Sequence, residues 1–211
     1  MKKWIDLSHP ITHEMPVFPG DPNVGILNFH NYQNGYFVSQ ITMGTHAGTH
    51  IDVPMHKLPG TKAVNAYPLD SFIARAFIMD LTYLKRGEEI LLSHLDAFTE
   101  QLDGCRAVIL KTDWSDHFGR EDYFSDYPGI SEEAAYWFVD NRIRLIGLES
   151  PSVHVTKHAL IHTLLLQEEI LIVESLTNIR EIKGKYVELF AVPLKLNGLD
   201  GSPVRAFAME G

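Results

Sequence analysis

Four side chains able to bind a metal ion or carry a proton fall within one short segment, His46-Ala47-Gly48-Thr49-His50-Ile51-Asp52-Val53-Pro54-Met55-His56. A helix would put His46 and His50 on one face, but Gly44, Gly48, two β-branched threonines, Val53 and Pro54 all oppose a helix here. The pattern instead predicts a strand running into a loop. In an extended chain, rising about 3.3 Å per residue, His50 and Asp52 point to the same side about 6 to 7 Å apart, so both can lean onto one ion. His46 joins them only if the chain bends, and the bend is cheapest at Gly48, which can take positive φ. Imidazole and carboxylate with no thiolate suit zinc, manganese or iron, while calcium calls for more oxygen donors. Three such ligands leave coordination positions open, as in a catalytic site.

A second cluster lies downstream in His154-Val155-Thr156-Lys157-His158-Ala159-Leu160-Ile161-His162, ahead of the apolar run Ile170-Leu171-Ile172-Val173-Glu174. A carboxylate closing a strongly apolar strand is expensive to bury unless it is paired or bound to a metal, which makes Glu174 a natural distant ligand; otherwise it sits at an exposed strand end. His158 and His162 lie four apart on an expected helix and can share a face toward the site. The spacing does not choose between them.

Short β-like runs must position these groups. Strands are expected over Trp4 to Leu7, Tyr36 to Met43, Ala76 to Leu81, Ala107 to Lys111, Leu145 to Leu148, Ile170 to Glu174 and Tyr186 to Pro193. Helical apolar spacing recurs over Ser93 to Gln101, Ser131 to Asn141 and Thr156 to Gln167, with Ser93 and Ser131 as start signals. The first third is turn-rich, as in Pro16-Val17-Phe18-Pro19-Gly20-Asp21-Pro22. The class is mixed α and β with long loops near the histidines. Phe18, Phe29, Tyr32 and Tyr36 are candidates for an aromatic wall, or else for core or subunit packing. Asp113 and Trp114, closing an expected strand, are candidates to line the pocket.

The chain has 211 residues, 45% hydrophobic and 21% charged, enough apolar material for a single domain over 1–211. Asp and Glu outnumber Lys and Arg 27 to 18, for a net charge of −9, which would repel phosphate backbones and anionic lipid. Nucleic acid and membrane are therefore poor partners, and a small-molecule substrate is the better expectation. Asp6, Ser8 and His9 interrupt the N-terminal run before a signal-like core forms, so a cytosolic location is expected. The only cysteine, Cys105, excludes an intrachain disulfide and opens the apolar run Ala107 to Leu110, where it reads as a buried small hydrophobe.

The segment His46-x-Gly48-Thr49-His50-x-Asp52-x-Pro54-x-His56 resembles the signature of the cyclase family, which includes bacterial kynurenine formamidases and isatin hydrolase. Asp6-Leu7-Ser8-His9-Pro10-Ile11, Pro19-Gly20-Asp21, Lys111-Thr112-Asp113-Trp114 and Gly147-Leu148-Glu149-Ser150-Pro151-Ser152 extend the resemblance. It implies an α/β swivelling β/β/α fold, a mixed sheet with flanking helices. It also implies one or two divalent ions, zinc or manganese, on His46, His50, Asp52, His162 and Glu174, with Asp52 and Glu174 as candidate bridges and His56 as catalytic acid/base. Phe18 stands where kynurenine formamidases of this type carry a tryptophan against the substrate ring, and His154 stands where relatives often carry an acid. The activity implied is hydrolysis of a formamide, cyclic amide or lactone by a homo-oligomer, dimer or tetramer. A non-catalytic metal-binding protein of the same fold and a metal-dependent dehydratase or isomerase are the alternatives; the His56 proton shuttle favours an enzyme over a pure binding site.

Overall fold

The computed structural model describes residues 2–102 and 104–211. The strands are β1 (Lys3–Asp6), β2 (Gly25–His30), β3 (Val38–Thr42), β4 (His50–Asp52), β5 (Ile73–Asp80), β6 (Glu89–Ile90), β7 (Ala107–Lys111), β8 (Gly129–Ile130), β9 (Leu145–Leu148), β10 (Leu171–Glu174), β11 (Tyr186–Phe190), β12 (Gly201–Pro203) and β13 (Phe207–Glu210). The α-helices are α1 (Leu92–Leu95), α2 (Glu132–Asp140) and α3 (His158–Gln167).

Nine strands form one mixed sheet in the order β1-β13-β11-β5-β7-β9-β10-β4-β12. Its centre, β5-β7-β9-β10, is parallel, and the strands on either side are antiparallel. The central strands are covered on both faces, which is why β7, β9 and β10 read as unbroken apolar runs. Along β7 the side chains alternate between two cores: Val108 and Leu110 pack with Ala134, Phe138, Ile161 and Leu165 of α2 and α3, while Ala107 and Ile109 pack with Ile5, Ile51 and Ala208 from the outer strands. Because β1, β13 and β4 share this second core although they stand toward opposite ends of the sheet, the sheet curls, and an isolated Ser8–Leu176 bridge ties the chain after β1 to the chain after β10.

The expected strands all form, with ends shifted by a few residues. Ser131 caps α2 as expected, its Oγ accepting from the Ala134 N–H at 3.2 Å. The helix expected over Ser93 to Gln101 is corrected: α1 is a single turn, followed by tighter 3₁₀ turns over Asp96–Leu102. Asp96 and Thr99 are weak helix formers, and the tighter winding buries both Leu95 and Leu102 while laying Phe98 against Phe77. Cys105 is buried in the helix-side core, as expected. No helix among the described residues is long and apolar enough to cross a membrane.

The hairpin β2–β3 stands apart from the main sheet and leaves Leu27, Phe29 and Ile41 more than half exposed. Phe29, Tyr32 and Tyr36 are exposed on this arm, away from the histidine cavity, so of the four candidates for its aromatic wall or for packing only Phe18 reaches it.

Candidate metal and catalytic centre

The histidine segment folds as a turn, a short strand and a 3₁₀ turn. On β4 the period-two alternation sends Ile51 into the second core and His50 and Asp52 to the opposite side. The antiparallel register on β10 sets Glu174 directly across from His50, so the two side chains share a face. On the other edge, β12 sets Gly201 across from Asp52, where a Cβ would stand 2.7 Å from the Ile51 carbonyl oxygen and 3.1 Å from the His46 ring. Glycine there leaves room for His46. The bend that carries His46 back over the strand passes through Gly48 at φ +64°, the positive φ its position called for. Pro54 opens the 3₁₀ turn Pro54–His56, which presents His56 beside His46 with ring centroids 4.3 Å apart. His162 comes from the buried face of α3.

Two buried carboxylates form the middle of the site, Asp52 and Glu174 at 1% and 3% exposure. Each faces the same two imidazoles. His50 Nε2 lies 3.4 Å from both Asp52 Oδ1 and Glu174 Oε2, and His162 Nε2 lies 3.2 Å from Asp52 Oδ2 and 3.1 Å from Glu174 Oε1. The other nitrogens are held by backbone: His50 Nδ1–H donates to the Gly48 carbonyl and His162 Nδ1–H to the His158 carbonyl, each at 2.8 Å. A carbonyl can only accept, so Nδ1 carries the proton and Nε2 is left to face the carboxylates. A lone pair facing two carboxylate oxygens in a dry site requires a positive charge between them, supplied by protonation or by a metal cation.

His46 shows the same demand more strongly. Its Nδ1 lies 2.7 Å from Asp52 Oδ1 and its Nε2 lies 2.8 Å from Asp200 Oδ2. Burial opposes charge on His46, but the Asp52 and Asp200 carboxylates outweigh it and raise the imidazole to about 10. Burial likewise opposes charge on His162, and hydrogen bonds to Asp52 and Glu174 overcome it, raising that imidazole to about 9. Ligand atoms of His46, Asp52 and His56, and of His50, Asp52 and Glu174, form two sets, within each of which every atom lies within 4.8 Å of the others. Asp52 belongs to both. This donor set fits one or two divalent cations.

The site is the floor of a cavity of about 340 Å³. One wall is aromatic: Phe18 stands edge-on to Phe124 at 6.0 Å and to His158 at 5.9 Å, with Phe118 also on the lining. Burial first, and then the neighbouring Lys57 charge, lower the His158 imidazole, which faces the cavity without reaching the carboxylates.

Asp113 and Trp114 do not line the cavity. Trp114 is buried behind it, its indole N–H donating to the Tyr123 carbonyl at 2.9 Å, and the Thr112 and Asp113 N–H groups donate to the buried Glu149 carboxylate. His154 is also outside the site: its Nδ1 accepts from the Thr156 and Lys157 N–H groups at the entry to α3, and its Nε2 meets Glu89 at 2.9 Å.

Sequence reasoning missed Asp200, which touches His46 and His56 and accepts from Thr45 Oγ at 3.0 Å. In Asn197-Gly198-Leu199-Asp200-Gly201 it reads as an ordinary turn residue. It also missed Lys57, Phe118 and Phe124, which no periodic pattern singles out.

The fold has known counterparts. Isatin hydrolase A from Ralstonia solanacearum superposes with a TM-score of 0.88 at 22% identity, covering 100% of this chain and 92% of that one, so the expected α/β fold of that group is the fold observed. A predicted metal-dependent hydrolase from Bacillus stearothermophilus superposes with a TM-score of 0.82 at 25% identity, and each chain is covered in full. The chain is 33% identical to a kynurenine formamidase from Bacillus cereus over 208 residues, 97% of this chain and 96% of that protein. It is 31% identical to one from Bordetella avium over 222 aligned positions, 100% and 99% of the two. Residues 5–155 match the profile of the family described as putative cyclase. With its histidine segment inside that match and relatives aligned along almost its whole length, this chain belongs to the cyclase family.

Proposed function

We propose that this protein is a metal-dependent amidohydrolase that opens a non-peptide C–N bond in a formamide or cyclic amide, of the kind found in N-formylkynurenine or isatin, or a related lactone. The observation that carries the reading is the pair Asp52 and Glu174, buried face to face between His50 and His162 at the floor of a cavity with an aromatic wall. The names of the sequence relatives and structural neighbours support the same class of reaction.

His46, His50, Asp52, His162 and Glu174 would hold one or two ions, zinc or manganese. When bound, such an ion supplies Lewis acidity, making water acidic near neutral pH and polarising a carbonyl. The remaining steps belong to the chain. His56 takes a proton from the attacking water and returns it to the leaving nitrogen or oxygen, the exchange an imidazole performs best near pH 7. Asp200, 3.5 Å from His56 Nδ1, orients the ring. Phe18 and Phe124, set at right angles to each other, would meet a flat substrate by the face of one ring and the edge of the other and keep bulk water from the reacting carbonyl.

A homo-oligomer fits the exposed apolar arm β2–β3, which a second copy can cover. The test of the central reading is metal content per chain by mass spectrometry, paired with product mass for N-formylkynurenine and isatin before and after chelation. One or two equivalents of metal with chelator-sensitive gain of one water is the expected result. An unchanged mass with turnover would make the protein an isomerase, and no metal after reconstitution would end the reading.

A further inference from the structure

Lys57 follows His56 in the chain and lines the same cavity. It is half-buried, and among the described residues its ammonium makes no ion pair and no side-chain hydrogen bond. The other half-buried lysine, Lys111, is neutralised by Asp80 at 2.9 Å, and the other lysines without a side-chain partner, Lys2, Lys85 and Lys195, are exposed to water. A partly desolvated cation with no counter-ion in a chain of net charge −9 is unusual, because burial of a charge is costly unless something pairs with it.

The nearby acids are engaged elsewhere. Asp52 and Glu174 face His50 and His162, and Asp200 accepts from Thr45 and faces His46 and His56. Asp21, which also lines the cavity, is exposed and not joined to Lys57. The partner that Lys57 lacks is therefore one that enters the cavity with its occupant. Phe18 and Phe124 on the lining would take a flat ring, which would leave a carbonyl to face the histidines.

We propose that Lys57 anchors an anionic group of the substrate, so that the preferred substrate is an aromatic amide or formamide bearing a carboxylate. An uncharged bicyclic lactam would leave Lys57 unpaired. This assignment rests on the hydrolase reading above and narrows it to one substrate class.

The experiment compares metal-loaded wild type with Lys57→Met and Lys57→Arg. The first readout is the ratio of kcat/KM for N-formylkynurenine to that for uncharged formanilide. The second, independent of turnover, is the ratio of the affinities for 3-benzoylpropionate and its neutral primary amide, by calorimetry. Loss of one charge-assisted contact should lower both ratios about 10- to 100-fold in Lys57→Met, the turnover ratio through KM, and Lys57→Arg should restore most of each. Turnover of the formamides with ratios unchanged in Lys57→Met would overturn the Lys57 assignment while leaving the hydrolase standing. Lys57-dependent binding of the carboxylate probe without turnover of either formamide would do the reverse.

Discussion

The carboxylate of Asp200 lies 2.8 Å from Nε2 of His46, joining the turn before β12 to the loop before β4. The arrangement matches the carboxylate–histidine pairs that orient a metal-binding imidazole, since a carboxylate holding Nε2–H leaves Nδ1 to face Asp52. Hydrogen bonds from His46 and His56 hold the Asp200 carboxyl well below the usual carboxylate range, so it is ionised at any working pH. Asp200→Asn keeps the shape but loses the charge. Metal affinity should fall about 10- to 100-fold, measured by competition against a chromophoric chelator. Full retention of metal with lost turnover would place the importance of Asp200 on His56 instead.

His56 belongs to one of the two ligand sets, so its role is decided by what is lost with it. As the proton shuttle, His56→Ala should reduce turnover by roughly 10² to 10⁴ while metal content per chain stays at the wild-type value. Loss of metal along with activity would make His56 a ligand.

Gly48 joins the site to the stability of the fold. A Cβ at this position would stand 3.0 Å from both Ile11 Cδ1 and Met15 Cε, and the backbone sits at φ +64°. Left-handed backbone costs a non-glycine residue roughly 1–2 kcal/mol before any clash is counted. Gly48→Ala should therefore lower the unfolding free energy by at least that amount in urea titrations and reduce metal affinity, because the same bend carries His46 to Asp52. An unchanged midpoint would mean that the loop relaxes freely.

Much of this site is legible in the amino-acid sequence. The alternation of His50, Ile51 and Asp52 determines which side chains face together, the position of Gly48 marks the bend, and the cost of a buried carboxylate singles out Glu174. Each is a local property of the chain. What the sequence does not reveal depends on contacts between distant segments. Asp200 acts 154 residues from His46 and looks like a turn former. Strands β12 and β13 are short, and β12 is itself Gly201-Ser202-Pro203, so nothing periodic announces them. Composition points to an aromatic wall from the segment ahead of the histidines, yet Phe118 and Phe124 come from the loop after β7, brought over the cavity by the parallel order of the sheet. Between His158 and His162, spacing does not choose; the helix sets only His162 against the carboxylates.

His9 offers a pH test away from the metal ligands. Its ring stacks on Phe118 at 3.7 Å, its backbone N–H donates to Thr49 Oγ, and its Nε2 is buried without a hydrogen-bond partner among the described residues. Burial pushes the imidazole down from 6.5 to about 4, so the folded protein holds it neutral. The unfolded chain binds that proton more readily. Stability is therefore full above pH 6.5 and is lost as pH falls from 6.5 toward 4, when the unfolded state gains a proton the folded state refuses. After discounting for the ring's partial exposure to solvent, the loss is on the order of 1–2 kcal/mol. Urea midpoints taken between about pH 7 and 4.5 should show this slope, and His9→Gln, which cannot be protonated there, should flatten it. A slope equal in the variant and the wild type would assign the acid sensitivity to other groups and leave His9 a packing residue under Phe118.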